Sequence, residues 1–329
     1  MRSVTKSIIP HDSIREMARK AFPNCEVKNI QELTEGMYNS AYRITGSGAL
    51  ESGVILKAGP MDGVKTLTYE KDILKAEVQV YHLLSEKAVP MPKLLSADYS
   101  HSIVPCDYFF MSHVSGVLWK KADKDRLERS RASLMEELGR INSEIHSVTG
   151  PWFGYLKEDS RFQFATWYEA FSAMMTDILN DGRADGHKLP YSEIEQTVRD
   201  HKACLEQVTS PQLVDFDLWA GNVLLQEEGD GYVISGILDF ERSFYGDPLA
   251  DFTSAVMIFD DVSREPDFLR GYGASVVLDS LAQSRMNLYR LYMTIIMCVE
   301  TYRYNRFYAS AVKMHCMKKI RKLLRTLSS

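Results

Sequence analysis

The sequence predicts an α+β protein of two lobes: a small lobe of strands and one helix over residues 1–113, and a larger, mainly helical lobe over 114–329. Three observations lead there. Short apolar runs punctuated by glycine precede Gly116, long helical periodicities follow it, and a single hairpin pattern interrupts those helices.

In the first lobe, residues 40–45 and 53–58 read as strands joined through Gly46, Gly48 and Gly53. Ile73, Leu74, Val78, Tyr81 and Leu84 then share one helical stripe. Pro90-Met91-Pro92 ends that helix, because proline has no N–H to donate and pushes its predecessor out of the α region. Beyond Gly116, Leu134, Leu138, Ile141 and Ile145 are spaced for one buried face. Further helices are expected over 167–180, 192–208 and, as two or three pieces, 281–327. Residues 222–225 and 232–238 read as the two strands of the hairpin, around a turn at 226–231.

Composition narrows the function. Of 329 residues, 45% are hydrophobic and 25% charged, an ordinary globular balance, and the net charge of −5 supplies no basic field to displace counterions from nucleic acid. The basic run over 313–325 reads as a solvated helix face, since Ile320, Leu323 and Leu324 recur at helical spacing beneath it. Five dispersed cysteines suggest reduced thiols rather than a disulfide framework or a zinc site. Neither a signal peptide nor a membrane-spanning run is read, so a soluble, cytoplasmic protein is expected, with no nucleic acid or membrane as partner.

The chemistry concentrates between Leu213 and Phe252. Asp217 opens D-L-W-A-G-N, which closes at Asn222, and a hairpin later Asp239 ends an apolar strand. Phosphoryl transfer needs a carboxylate beside the acceptor hydroxyl, plus hard oxygen donors for the cation that bridges the phosphates. An amide and a carboxylate brought to one end of a rigid hairpin suit Mg²⁺.

DLWAGNVLL, GILDFER and GDPLADF together resemble the aminoglycoside phosphotransferase family, small-molecule kinases that share the two-lobed protein-kinase-like fold. VPMPKLL, HVSG at 113–116 and IHSVTGPWFGYL at 145–156 match it more weakly. The resemblance implies Asp217 as catalytic base and Asn222 and Asp239 as Mg²⁺ ligands. It also implies a small-lobe lysine, which Lys57 fits, and a helix glutamate paired with it, for which Glu77 is chosen and Glu70 is the reserve. The phosphate-covering loop is expected at 34–40, with Asn39 and Ser40 beside backbone amides. An adenine slot is expected over 110–114, including Met111 and His113.

One departure stands out. The family usually carries histidine two residues before the catalytic aspartate, and this sequence has Asp215. A third carboxylate there crowds charge against Asp217 and Asp239, so the cation-free protein is expected to be strained near neutral pH. Asp247 before Pro248 reads as a helix cap, Asp251 as structural and His146 as a packing residue. Asp260, Asp261, Glu265 and Asp267 offer acidic side chains to a cationic acceptor, or form a solvated loop.

The expected activity is transfer of the γ-phosphate of ATP or GTP to a hydroxyl of a small molecule, such as an aminoglycoside-like antibiotic, an amino alcohol or a sugar. The alternatives are a kinase-shaped nucleotide-binding regulatory protein with little transfer, and a nucleotidyl transferase. No motif selects the nucleotide or an oligomeric state.

Overall fold

The computed structural model describes residues 5–34, 36, 38–254, 258–259, 261–273 and 276–328. Its chain divides into two compact units, Met1–Thr66 with Pro92–Val114, and Leu67–Met91 with Ser115–Ser329. The segment Leu67–Met91, read from sequence as part of the first lobe, thus groups with the second unit.

The first unit is a five-stranded antiparallel sheet backed by a helix. Helix α1 (His11–Ala21) precedes β1 (Val27–Leu33), β2 (Ser40–Gly46), β3 (Val54–Ala58), β4 (Leu94–Asp98) and β5 (Tyr108–Ser112), ordered β1-β2-β3-β5-β4. Ile14, Met17 and Ala18, at helical spacing on α1, are buried in one cluster with Tyr42, Ile44, Leu56 and Phe110 of the sheet. Gly53 sits before β3 at φ +84, a left-handed turn conformation that glycine adopts without steric cost.

The second unit begins with α2 (Ile73–Leu83) and β6 (Val117–Leu118), followed by α3 (Lys124–His146), β7 (Gly154–Tyr155), α4 (Trp167–Ala184), α5 (Tyr191–Asp200) and α6 (Lys202–Leu205). Strands β8 (Gln212–Val214), β9 (Val223–Glu228), β10 (Gly231–Ile237) and β11 (Phe244–Gly246) come next. Helices α7 (Asp251–Ser254), α8 (Pro266–Tyr272), α9 (Ser280–Val299) and α10 (Arg306–Leu327) complete it. The β9–β10 hairpin takes β6 as a third strand, and β11 joins β7 to β8 in a second small sheet. After α2, the Pro90 carbonyl accepts the Ile237 amide at 2.7 Å, fastening that segment to the end of the hairpin.

Several expectations hold in detail and others shift. Thr166 caps α4 with a reciprocal capping box through Glu169, which carries that helix four residues past the expected end. The helix expected over 192–208 breaks at His201, whose Nδ1 lies 2.8 Å from the Thr197 carbonyl. The stretch 281–327 resolves into α9, a 3₁₀ turn at Glu300–Arg303, and α10, whose N-cap Asn305 accepts from the Tyr308 amide. On α10, Ile320, Leu323 and Leu324 face inward while Lys318, Arg321, Lys322 and Arg325 are exposed. Among the described residues no helix is long and apolar enough to cross a membrane.

Candidate functional site

The second unit gathers Asp217, Asn222, Asp239 and Glu77 at one end of the β9–β10 hairpin. The Asn222 amide nitrogen donates to the Asp217 carboxylate at 2.9 Å and to its carbonyl at 3.0 Å. The Leu238 amide donates to the Asn222 carbonyl at 2.8 Å, so the two hairpin ends that carry Asn222 and Asp239 are stitched together. Carboxylate oxygens of Glu77, Asp239 and Glu241 lie within 4.8 Å of one another, with Glu77 fully buried on α2. Glu70, the reserve for Glu77, is committed elsewhere: it forms a buried ion pair with Arg303 and accepts the Leu67 amide.

Two residues reach this geometry through unusual backbone. Phe216 has φ +61 and Asp239 has φ +70, a left-handed conformation that costs side-chain-bearing residues about 1–3 kcal/mol. The fold holds Phe216 there by packing: its ring lies against Phe244 (5.2 Å) and stacks on Tyr292 (5.8 Å). Asp251 supplies the polar half of the restraint. Its two carboxylate oxygens accept the Asp215 amide at 3.0 Å and the Phe216 amide at 2.6 Å. His146 Nε2 lies 2.9 Å from Asp251, and its Nδ1 is bonded to the Tyr272 hydroxyl, a packing role of the kind read from sequence. Asp247 likewise serves structure. It caps the 3₁₀ turn Pro248–Ala250 and accepts from Arg285 and the Tyr289 hydroxyl. Gly246 beside it has no room for a side chain, since a Cβ would meet the Trp167 ring at 2.6 Å.

Sequence reasoning missed Arg242 and its partners. Arg242 approaches Asp217 at 3.8 Å, pairs with Glu300 at 2.8 Å and lies over the Tyr69 ring. Glu300 also takes the Tyr69 hydroxyl and neighbours Arg303. Arg242 directly follows the D-F-E triplet, a signal that could have found it; Glu300 and Tyr69 carry none, being far away in the chain.

Electrostatics mark the same spot. Burial raises the Asp217 carboxyl to about 8, opposed by Arg242 and reinforced by the charge of Asp239. Its side chain keeps about 21% exposure, so water tempers that shift. Asp215 is fully buried and raised further, by burial first and then by Asp251, Asp217 and Asp239. The Asp217 amide is nearby, yet neither Asp215 carboxylate oxygen has a well-formed hydrogen bond. Such a group costs stability when ionised, so Asp215→Asn is expected to stabilise the cation-free protein at pH 8 by roughly 1–3 kcal/mol. Because the folded-state pKa lies above the unfolded value, the wild type binds extra protons when folded at intermediate pH. Its stability therefore falls as pH rises from about 4 toward 8. Thermal melts of both proteins between pH 5 and 8 should show a steeper decline for the wild type; parallel curves would rule out the strain.

The other singled-out residues lie in the first unit. Lys57, on β3, is buried and stands in register with Ala41 and Phe109. Met111 of β5 stands opposite Ile55 and Leu94. His113 follows β5, its amide on the Gly53 carbonyl and its imidazole pKa lowered by burial and then by Arg43. Ser40 opens β2 with its hydroxyl donated to the Ser7 carbonyl at 2.5 Å. Glu35 and Met37 of the expected phosphate loop, and Asp260 of the acidic run, lie outside the described residues. The rest of that run is engaged: Asp261 caps a 3₁₀ turn, Glu265 pairs with Arg131 and Asp267 with Arg270.

The model of the phosphotransferase enzyme family matches residues 29–284, most of the chain and both units. The chain belongs to that family. This agrees with the motif resemblance, and solved structures agree on the fold of this phosphotransferase. A candidate fructosamine-3-kinase from Thermobifida fusca superposes with a TM-score of 0.66 at 18% identity, over 95% of this chain and 99% of the other. A candidate aminoglycoside phosphotransferase from Ralstonia eutropha gives 0.64 at 13%, over 97% of both chains. A thermostable mutant of aminoglycoside phosphotransferase APH(4)-Ia, in ternary complex with AMP-PNP and hygromycin B, gives 0.63 at 16%, over 95% and 98%. These establish the kinase-like α+β fold. Among curated proteins, mouse acyl-CoA dehydrogenase family member 10 is 24% identical over 280 residues. That stretch is 82% of this phosphotransferase but 24% of the mouse protein, so the chain spans about a quarter of that relative's length.

Proposed function

We propose that this phosphotransferase moves the γ-phosphoryl of ATP or GTP to a hydroxyl of a small molecule, with Asp217 as catalytic base. The observation that carries this reading is the joining of Asp217 to Asn222 beside Asp239 and Glu77 in one buried acidic locus. The donor set, one amide and carboxylates without sulfur or imidazole, fits Mg²⁺. Asn222 and Asp239 would hold that cation, which when bound neutralises charge on the phosphates. With the Asn222 nitrogen committed to Asp217, the amide oxygen is the atom left for the cation.

The chain's own residues account for the rest. Asp217 orients the acceptor hydroxyl and takes its proton as the new O–P bond forms and the bond to the leaving nucleoside diphosphate breaks. Arg242, at 3.8 Å, keeps Asp217 turned and ionised enough to accept it. Asp251, through the amides of Asp215 and Phe216, holds the segment in place. Lys57 is proposed for the phosphates, Met111 and His113 for the base, and Ser40 as a loop residue. Glu77 is proposed as the helix glutamate, since Glu70 is already paired with Arg303.

A Mg²⁺–nucleotide screen over aminoglycosides, amino alcohols, hydroxylated amines and sugars tests this. Acceptor-dependent release of the nucleoside diphosphate supports it, and pyrophosphate release would instead indicate nucleotidyl transfer. A second reading, a nucleotide-binding regulator, draws on the crowded carboxylate of Asp215. Tight nucleotide binding with neither product across the screen would favour that reading.

A further inference from the structure

We propose that the N-terminal segment 5–9 is a positioning element for nucleotide, in which Lys6 holds the loop 34–40 in its binding shape. This rests on the nucleotide-binding reading above and adds a residue that neither the motifs nor the family resemblance contains. Lys6 is buried, and its ammonium donates to the Leu33 carbonyl at 2.9 Å and to the Gly36 carbonyl at 3.3 Å. One residue on, the Ser7 carbonyl accepts the Ser40 hydroxyl at 2.5 Å. The Ile9 amide then donates to the Tyr42 hydroxyl at 3.1 Å, and the Ile9 side chain is buried in the core of the same unit. Consecutive stretches of the segment therefore grip the end of β1, the loop and the start of β2.

The chemistry gives the grip a direction. A trans peptide sets each N–H opposite the preceding C=O, so drawing the Leu33 carbonyl onto Lys6 turns the Thr34 amide away from Lys6. Amides turned outward along a short loop are what an anion-binding nest requires. Bonds from an ammonium are stronger than neutral ones, and a loop that carries one glycine between its strands gains order from them. The Ser40 hydroxyl, spent on Ser7, acts here as a tie for the loop.

The test uses the full chain with Lys6→Met, which keeps most of the buried stem and removes the charge, and Lys6→Arg, which keeps donors for both carbonyls. Mg²⁺–AMP-PNP affinity by calorimetry, amide exchange of residues 34–40 without nucleotide, and KM against kcat are measured together with the melting midpoint. In Lys6→Met the loop amides should exchange faster, and Kd and nucleotide KM should rise about fivefold to tenfold as the competent loop becomes a minor population. Its kcat should stay within about twofold, because uniform binding is what is lost. Lys6→Arg should restore most of the affinity. A folded Lys6→Met protein with wild-type Kd and loop exchange overturns the proposal while leaving the nucleotide reading intact. A wild type that binds no AMP-PNP overturns both.

Discussion

Replacing Asp217 with asparagine is expected to lower turnover about 10²- to 10⁴-fold, the usual worth of a positioned general base. Nucleotide affinity should stay near normal, because the lost group acts on the acceptor in the transition state. The structure makes the substitution clean. Asparagine fills the same volume and keeps an oxygen for the Asn222 amide, which donates to Asp217 at 2.9 Å. It also removes one charge from a cluster in which burial and Asp239 raise the Asp217 carboxyl to about 8. The variant should therefore melt no lower than wild type. Steady-state kinetics on whichever acceptor the screen yields, with calorimetry of nucleotide binding, checks both halves. Turnover within tenfold of wild type would remove Asp217 from the base role.

Asp251→Ala is expected to have the largest effect on stability. The carboxylate is fully buried and answers two backbone amides and an imidazole at once. Truncation leaves those donors in an apolar setting, at a cost of roughly 3–5 kcal/mol. The melting midpoint should fall on the order of 10 °C. Asp251→Asn, which keeps one acceptor oxygen, should lose distinctly less. The damage should reach the site through Asp215 and Phe216, so activity should fall further than the folded fraction does. A denaturant midpoint for Asp251→Ala indistinguishable from wild type would mean that the amides find other partners.

Local chemistry decided what the sequence could reveal. The hairpin over 223–237 was legible because an apolar alternation meets a glycine-flanked turn, and Asp217, Asn222 and Asp239 were legible because hairpin and loop fix their spacing. Helix α4 announced its start through Thr166 and Glu169. Helix α1 and strand β1 went unread: charged residues dilute the apolar stripe of α1, and β1 has no buried face along most of its length. The network of Tyr69, Arg242, Glu300 and Arg303 was invisible for another reason. Its members come together only when the turn after α9 packs against a segment more than two hundred residues earlier, and no periodicity encodes such pairing. The commitment of Glu70 to Arg303 was hidden in the same way.

The left-handed backbone at Phe216 and Asp239 bears on how this enzyme can be engineered. Glycine at either position would relax the chain, so a redesign scored on thermal robustness alone will favour it. At 239 that choice deletes a proposed ligand, and at 216 it frees the hinge just before Asp217 to wander. Robustness and competence thus pull in opposite directions at these two positions, and variant libraries should hold both constant while the helical exterior is improved.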